Sequence, residues 1–225
     1  MLRRLDGLPV GPRASNGVFD GETFLHPDLD FRVRFPAGWK TANERTVVGA
    51  SAPDGRAVVG LELVGKGSDP EAALRAFQEE AKIDLAPGAE RLMVGGLPAI
   101  HATTTARTRD GRVALDLTWI AHAERIYRVI GATPPDGAAA AKPFFRPTVE
   151  SFRPLTASER AGIRETRVRI VAARAGEGLA DVLARARSTW TVETAAVANG
   201  LDATARLRPA KLVKVAVAEP YTHEQ

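Results

Sequence analysis

The chemistry that this sequence could carry starts with its histidines, because cysteine is absent. The four histidines are His26, His101, His122 and His223, and no two of them are four residues apart. The HExxH motif, which places two zinc ligands on one helix face, is missing. Without cysteine, thiolate catalysis and cysteine-ligated metal sites are excluded as well. We therefore predict no metal site and no cofactor in these residues.

The tightest cluster of reactive groups is His26-Pro27-Asp28, where a carboxylate could orient an imidazole for base catalysis. Pro27 favours an extended backbone at His26, however, and Asp28 is a common turn residue. We interpret this stretch as the end of a strand, a tight turn and the start of the next strand. Gly-x-Ser-x-Gly and the glycine-rich phosphate-binding motifs are also missing, so we predict no catalytic residue.

Residues 18–155 show the pattern of an α+β domain with a largely antiparallel sheet, because strands and helices alternate in blocks. Phe31, Val33 and Phe35 alternate with arginines, which predicts a half-buried strand. Trp39 follows this strand and is expected to close one end of the sheet over the core. Turn residues predict hairpins at the following places: 52–55, 109–112 and 121–124.

Two helices are predicted in the same domain. Ser68 and Glu71 fit a capping box, with Pro70 in the first turn and an apolar stripe after it. A second helix is predicted near 138–152, and Pro147 should kink it or begin its final turns.

The rest of the chain divides into four shorter parts. Residues 1–17 are rich in proline and glycine, which predicts a linker from a missing upstream domain. A polar bridge is predicted at 156–165 and a tail at 220–225. Between them, residues 166–219 predict a β-α-α-β domain, with Thr191 capping its second helix.

Charge distribution limits the choice of partners. The formal net charge is +4, and residues 153–219 hold 12 basic against 7 acidic side chains. A basic surface could meet nucleic acid, phospholipid headgroups or a cell-wall polymer. The arginines are not interleaved with aromatic residues, so nucleic acid is not our predicted partner. No apolar run is long enough to predict a transmembrane segment.

Residues 166–219 resemble a LysM-type module. Gly176, Glu177, Gly178 and Leu179 stand where that family has its Gly-Asp-Thr-Leu opening, and Asn199-Gly200-Leu201 stands at its Asn-x-Leu element. The closing element corresponds to Leu207, Pro209, Leu212, Val213 and Val215. The resemblance implies binding of N-acetylglucosamine glycans through loops that flank the helices. The candidate glycan-binding residues are Gly176, Glu177, Gly178, Asn199, Leu201 and Arg208.

The order of landmarks along the whole chain is similar to the C-terminal, non-peptidase region of bacterial CAAX-prenyl-protease-related, HtpX-like zinc metalloproteases. These landmarks are the segment FLHPDLDFRVRFPAGW, the segment SFRPLTASE and the LysM-like unit. In that family an HExxH peptidase domain precedes a PsbP-like α+β domain and a LysM-like domain. The resemblance implies that zinc belongs to a missing peptidase domain upstream, and that no catalytic residue lies here.

The function expected from this resemblance is that of a non-catalytic accessory region. It would dock the peptidase or its substrates to envelope proteins or peptidoglycan, in the periplasm or at the outer membrane, as part of protein quality control. Two alternatives stay open. One is a self-standing α+β hydrolase with an unrecognised carboxylate site, and the other is a basic nucleic-acid-binding module.

Overall fold

The computed structural model describes residues 2–109 and 111–222, and its contacts divide the chain into two compact units. The larger unit is Phe19–Thr156. The smaller unit combines the N-terminal segment up to Val18 with the chain from Ala157 onward. The chain is thus an α+β protein in which the smaller unit is built from both ends of the sequence.

The larger unit is dominated by a seven-stranded antiparallel sheet with the order β4-β5-β6-β10-β9-β8-β7. A three-stranded sheet of β1, β2 and β3 accompanies it. The strands are β1 (Val18–Asp20), β2 (Thr23–His26), β3 (Phe31–Arg34), β4 (Lys40–Asn43), β5 (Val47–Ser51), β6 (Val58–Lys66), β7 (Glu90–Val94), β8 (Leu97–Thr108), β9 (Gly111–His122) and β10 (Arg125–Thr133).

The predicted turns lie where the hairpins form. β5 and β6 flank residues 52–55, and β9 and β10 flank Ala123 and Glu124. β8 ends at Thr108 and β9 begins at Gly111, within the predicted turn 109–112, of which Asp110 lies outside the described residues. Ala123 and Glu124 both have positive φ, the backbone of a tight two-residue hairpin turn. The interpretation of the His26 stretch is confirmed, because β2 ends at His26, a turn follows, and β3 begins at Phe31.

Two helices of the larger unit carry the predicted patterns, and only the start of the first one needs correction. Helix α1 (Pro70–Ala81) begins after Asp69, not Ser68, because the Asp69 carboxylate accepts a hydrogen bond from Glu71 N at 2.9 Å. Helix α2 (Ala138–Glu150) continues as one element through Pro147, and Pro143 also lies inside it.

Buried side chains form a core on each side of the seven-stranded sheet, since neighbouring residues of a strand point to opposite faces. Ile120 and Tyr127 join the core that contains Phe145 of α2, whereas their neighbours Trp119 and Ile126 join the core beneath α1. Trp39 is half-buried against Phe144 and Phe145, as predicted, with ring centroids 5.4 and 6.4 Å apart.

The smaller unit has the predicted β-α-α-β order. Its elements are α3 (Ala157–Gly162), β11 (Arg164–Ala172), α4 (Leu179–Ala186), α5 (Val192–Asn199) and β12 (Leu212–Pro220). β11 and β12 pair antiparallel, from Arg164 opposite Pro220 to Ala172 opposite Leu212. Thr191 caps α5 by accepting from Thr194 N at 3.2 Å, as predicted.

The prediction of a linker for residues 1–17 is wrong for the described part of that segment. Gly7 N donates to Val168 O, Val168 N donates to Leu8 O, and Val10 N donates to Thr166 O, each at 2.8 Å. These bonds add an extended segment to the edge of β11. The predicted bridge at 156–165 is replaced by α3 and the first residues of β11, since its apolar Ile163 is buried.

Candidate functional site

Two of the histidines hold the backbone of turns. His26 Nδ1 accepts a hydrogen bond from Leu29 N at 3.2 Å, and burial lowers the pKa of the His26 imidazole. His122 Nε2 lies 2.8 Å from Asp30 O, to which it donates. Both rings therefore stabilise the turn between β2 and β3.

His101 is paired with a carboxylate instead. It lies on β8, and its Nε2 is 3.1 Å from Asp116 Oδ1 on β9. The sheet register places Asp116 opposite Thr103, so the pair is diagonal on one face of the hairpin. The hydrogen bond that His101 donates to Asp116 raises the pKa of the imidazole by more than burial lowers it.

This pair lines a cavity of about 420 Å³ between the β8–β9 hairpin and the first turns of α2. The polar lining comes from His101, Asp116, Lys142 and threonines, and the apolar lining from alanines, Leu115 and Phe145. Thr133, at the end of β10, borders the cavity near the start of α2. Strand alternation explains the lining of β8, because His101, Thr103 and Thr105 all point to the α2 face.

Among residues 2–109 and 111–222, no group of three or more histidine, cysteine, aspartate or glutamate side chains could hold a metal ion. His223 lies outside the described residues. Within the described chain, no helix combines the length and the apolar character that a bilayer crossing requires.

In the smaller unit, the structure brings three of the predicted glycan-binding residues next to a second loop. Gly176, Glu177 and Gly178 lie in the loop 173–178, which is joined to the loop 201–211 by backbone hydrogen bonds. These bonds run from Leu207 N to Glu177 O, from Ala210 N to Ala173 O and from Ala173 N to Lys211 O, at 3.0, 2.8 and 2.9 Å. Arg208 is exposed on this second loop.

Glu177 shapes its loop through hydrogen bonds to Arg174 and Arg185. Its carboxylate accepts from Arg185 Nε and from Arg174 N, both at 2.7 Å. The Arg185 side chain is the main reason that the pKa of Glu177 falls to about 2. Gly176 has φ +80°, in the left-handed region that favours glycine, and its carbonyl accepts from Arg206 Nη1 at 3.1 Å.

The other two predicted residues lie at the end of α5 and stabilise the fold. Asn199 Nδ2 donates to Ala195 O at 2.8 Å and to Lys214 O at 2.9 Å, and Asn199 Oδ1 accepts from Lys214 N at 2.8 Å. Leu201 is half-buried against the core of the smaller unit. Asn199 and Leu201 therefore have structural roles, unlike the exposed loop residues.

The sequence reasoning missed the His101–Asp116 pair. The predicted turn indicated the hairpin but not its register, because a two-residue loop at the centre of 109–112 would pair Thr103 with Thr118, whereas the observed register pairs Thr103 with Asp116. That register places the carboxylate one diagonal step from His101. The cavity above the pair depended on where α2 packs, and no local pattern contained that information.

Comparisons with known proteins find only distant structural similarity. No protein-family profile matches the chain. No curated protein matches it either. A crystal structure from Bacteroides thetaiotaomicron is similar with 12% identity and a TM-score of 0.48, covering 70% of this chain. This chain spans 55% of the length of that protein.

Two named structures are also similar. The solution structure of cyanobacterial PsbP (CyanoP) from Synechocystis has 12% identity and a TM-score of 0.46, covering 65% of this chain and 99% of its own. LpqN of Mycobacterium tuberculosis, described as involved in cell envelope biogenesis, has 14% identity and a TM-score of 0.40, covering 60% and 87%. The chain, an α+β protein by its own elements, is distantly similar in structure to PsbP-like and LpqN-like domains.

Proposed function

We propose that this chain is a non-catalytic accessory region of a secreted bacterial zinc-dependent metalloprotease. In this proposal it holds the peptidase or its substrates at the cell envelope, in the periplasm or at the outer membrane. The LysM-like unit binds peptidoglycan and the PsbP-like unit binds envelope proteins. Zinc and the catalytic residues belong to a peptidase domain upstream of this chain.

The observation that best supports a binding role is the double loop of the smaller unit. We define the loop pair as residues 173–178 and 201–211, which backbone hydrogen bonds join into one surface. Such a surface is ordered before it meets a partner, which lowers the entropic cost of binding. Its exposed basic side chains are Arg174, Arg206, Arg208 and Lys211.

Charge on the loop pair favours an anionic polymer. Glu177 and Asp202 are its acidic residues, and Glu177 is engaged by Arg185. The basic side chains therefore exceed the acidic ones on this surface. Peptidoglycan with its free carboxylates combines such charge with the N-acetylglucosamine that the LysM resemblance implies.

The direct test is a pull-down of the purified chain on peptidoglycan sacculi, at low and at moderate salt. We expect retention, and we expect the double substitution Arg174→Glu/Arg208→Glu to remove most of it. Arg45→Glu/Arg107→Glu is the matched control, because it makes the same charge change at exposed positions of the larger unit. Lack of retention of the unsubstituted chain at low salt would contradict peptidoglycan binding.

Two further measurements separate the parts of the proposal. Oligomers of N-acetylglucosamine should compete with sacculi for the chain if the sugar is recognised, whereas salt alone should displace it if only charge is read. The coding sequence upstream of Met1 should contain an HExxH segment and a leader peptide. Its absence would contradict the metalloprotease assignment while leaving the binding role intact.

A second candidate function is hydrolysis, and the His101–Asp116 pair favours it. A carboxylate that orients an imidazole is the arrangement of a general base, and the pair lines a cavity. Threonine hydroxyls in the cavity wall are the available nucleophiles. Turnover of chromogenic esters by the isolated chain, abolished by His101→Ala, would establish this activity. Equal rates with and without the protein would dismiss it.

A further inference from the structure

The cavity of the larger unit has the composition of a small-molecule site. Its volume of about 420 Å³ lies within the range of about 300–1,000 Å³ that is typical of such pockets. Phe145 and three alanines supply an apolar wall, and Thr103, Thr105 and Thr133 supply hydroxyl groups. A ligand that fits must therefore carry both an apolar body and a polar group.

The charges in the cavity wall determine which polar group a ligand of this cavity should carry. Asp116 is neutralised by its hydrogen bond to His101 whenever the imidazole is protonated. Lys142 on α2 also lines the cavity, is exposed, and has no ion-pair partner within residues 2–109 and 111–222. An unpaired ammonium beside hydroxyl donors is suited to a carboxylate.

We infer that this cavity binds a small organic carboxylate, with the carboxylate at Lys142 and the threonine hydroxyls and the apolar body against Phe145 and the alanines at the start of α2. The inference concerns the larger unit and does not depend on the proposed binding of peptidoglycan by the smaller unit.

The charge of the site depends on pH through His101. The groups that face His101 from the neighbouring elements are Asp116 on β9, Glu90 on β7 and Lys142 on α2. With a protonated His101, the three lining charges sum to a positive site. With a neutral His101, the charge of Asp116 balances that of Lys142, and the lining has no net charge. Carboxylate affinity should therefore fall as the pH rises through the pKa of His101.

The test uses three probes of equal size on the full chain labelled with ¹⁵N: benzoate, benzyl alcohol and benzylamine. We expect benzoate to shift the amide signals of residues 101–105, 114–116 and 138–142, and to bind more tightly at about pH 6 than at about pH 8. Benzyl alcohol should bind about tenfold more weakly and benzylamine more weakly still. Equal affinity for all three probes, or no shifts in these residues, would overturn the inference.

Two lysine substitutions complete the test. Lys142→Gln should weaken benzoate binding by about three- to tenfold, because it removes one charge-assisted contact at a partly solvated site. Lys66→Gln changes an exposed lysine on β6 and should leave the affinity unchanged. Circular dichroism of both variants reports whether they are folded. A folded Lys142→Gln protein with unchanged benzoate affinity would refute the placement of the carboxylate.

Discussion

The two units of this chain are stabilised in different ways. The larger unit buries aromatic rings on one side of its sheet, and Phe31, Tyr127 and Phe152 lie with ring centroids 5.1–5.3 Å apart. The fully buried core of the smaller unit contains aliphatic side chains only. A small aliphatic core contributes less free energy of burial, so we expect polar contacts to matter more there.

Those polar contacts tie distant parts of the smaller unit together. Asp6 accepts from Ile170 N at 2.8 Å and pairs with Arg169, which also pairs with Glu219. The buried Glu165 accepts from Ala14 N at 3.3 Å and lies 2.7 Å from Arg167. The comparison shows that one chain can stabilise one unit mainly by burying aromatic side chains and the other mainly by polar contacts between distant segments.

The largest expected effect is in the aromatic core. Phe152→Ala removes a fully buried ring, and we expect it to reduce the free energy of unfolding of the larger unit by about 3–5 kcal/mol. Urea titration followed by amide signals of each unit measures this change. Phe144→Ala is the control, since that ring is 44% exposed and its loss should be less than about 1.5 kcal/mol. Similar losses of unfolding free energy in the two variants would contradict a dominant contribution of the buried aromatic core.

Asn199→Ala tests the cross-links of the smaller unit. It leaves the N–H and C=O of Lys214 without their side-chain partner, so we expect a loss of about 2 kcal/mol, confined to the smaller unit. Val197→Ala on the same helix is the control, because Val197 is 84% exposed and its loss should be near zero. An unchanged stability of Asn199→Ala would show that these hydrogen bonds are dispensable. Asn199 would then again be a candidate glycan-binding residue.

Asp6→Ala is expected to reduce the free energy that holds the N-terminal segment against β11 by about 1 kcal/mol. The substitution removes one hydrogen bond to the backbone and one exposed ion pair. Hydrogen exchange at the Val168 and Val10 amides should become faster, since both amides bond across to β11 or its added segment. Asp20→Ala, an exposed substitution in the larger unit, should leave these amides unchanged. Unaltered exchange in Asp6→Ala would contradict the role given to this carboxylate.

The smallest effect concerns pH. Asp116 holds the pKa of His101 above its ordinary value of 6.5, so the stability from this pair is fully present below that value. It is lost as the pH rises through the raised folded-state pKa. Asp116→Asn should lower the pKa of His101, as read by NMR titration of the imidazole, and should flatten the pH dependence. A His101 pKa that stays raised in this variant would point to Glu90 as its source.

Local patterns were sufficient for most of the secondary structure. Alternation in β3 and the apolar face of α4, with Leu179, Val182 and Leu183 buried, required only the period of each element. The start of α1 was placed one residue early, since serine and aspartate both cap helices and only the backbone geometry selects Asp69. The upstream peptidase domain, the LysM-like function and the envelope location stay predictions.

The sequence alone determined the order of the elements and their division between an α+β unit and a β-α-α-β unit, because turn residues and hydrophobic periods act over a few positions. Only the tertiary structure decided which distant groups meet. Residues 7–10 pair with β11 through backbone groups, which leave no trace in composition, and the side-chain amide of Asn199 bonds to the backbone of β12. The cavity at His101 likewise arises where α2 packs on the β8–β9 hairpin, far apart along the chain.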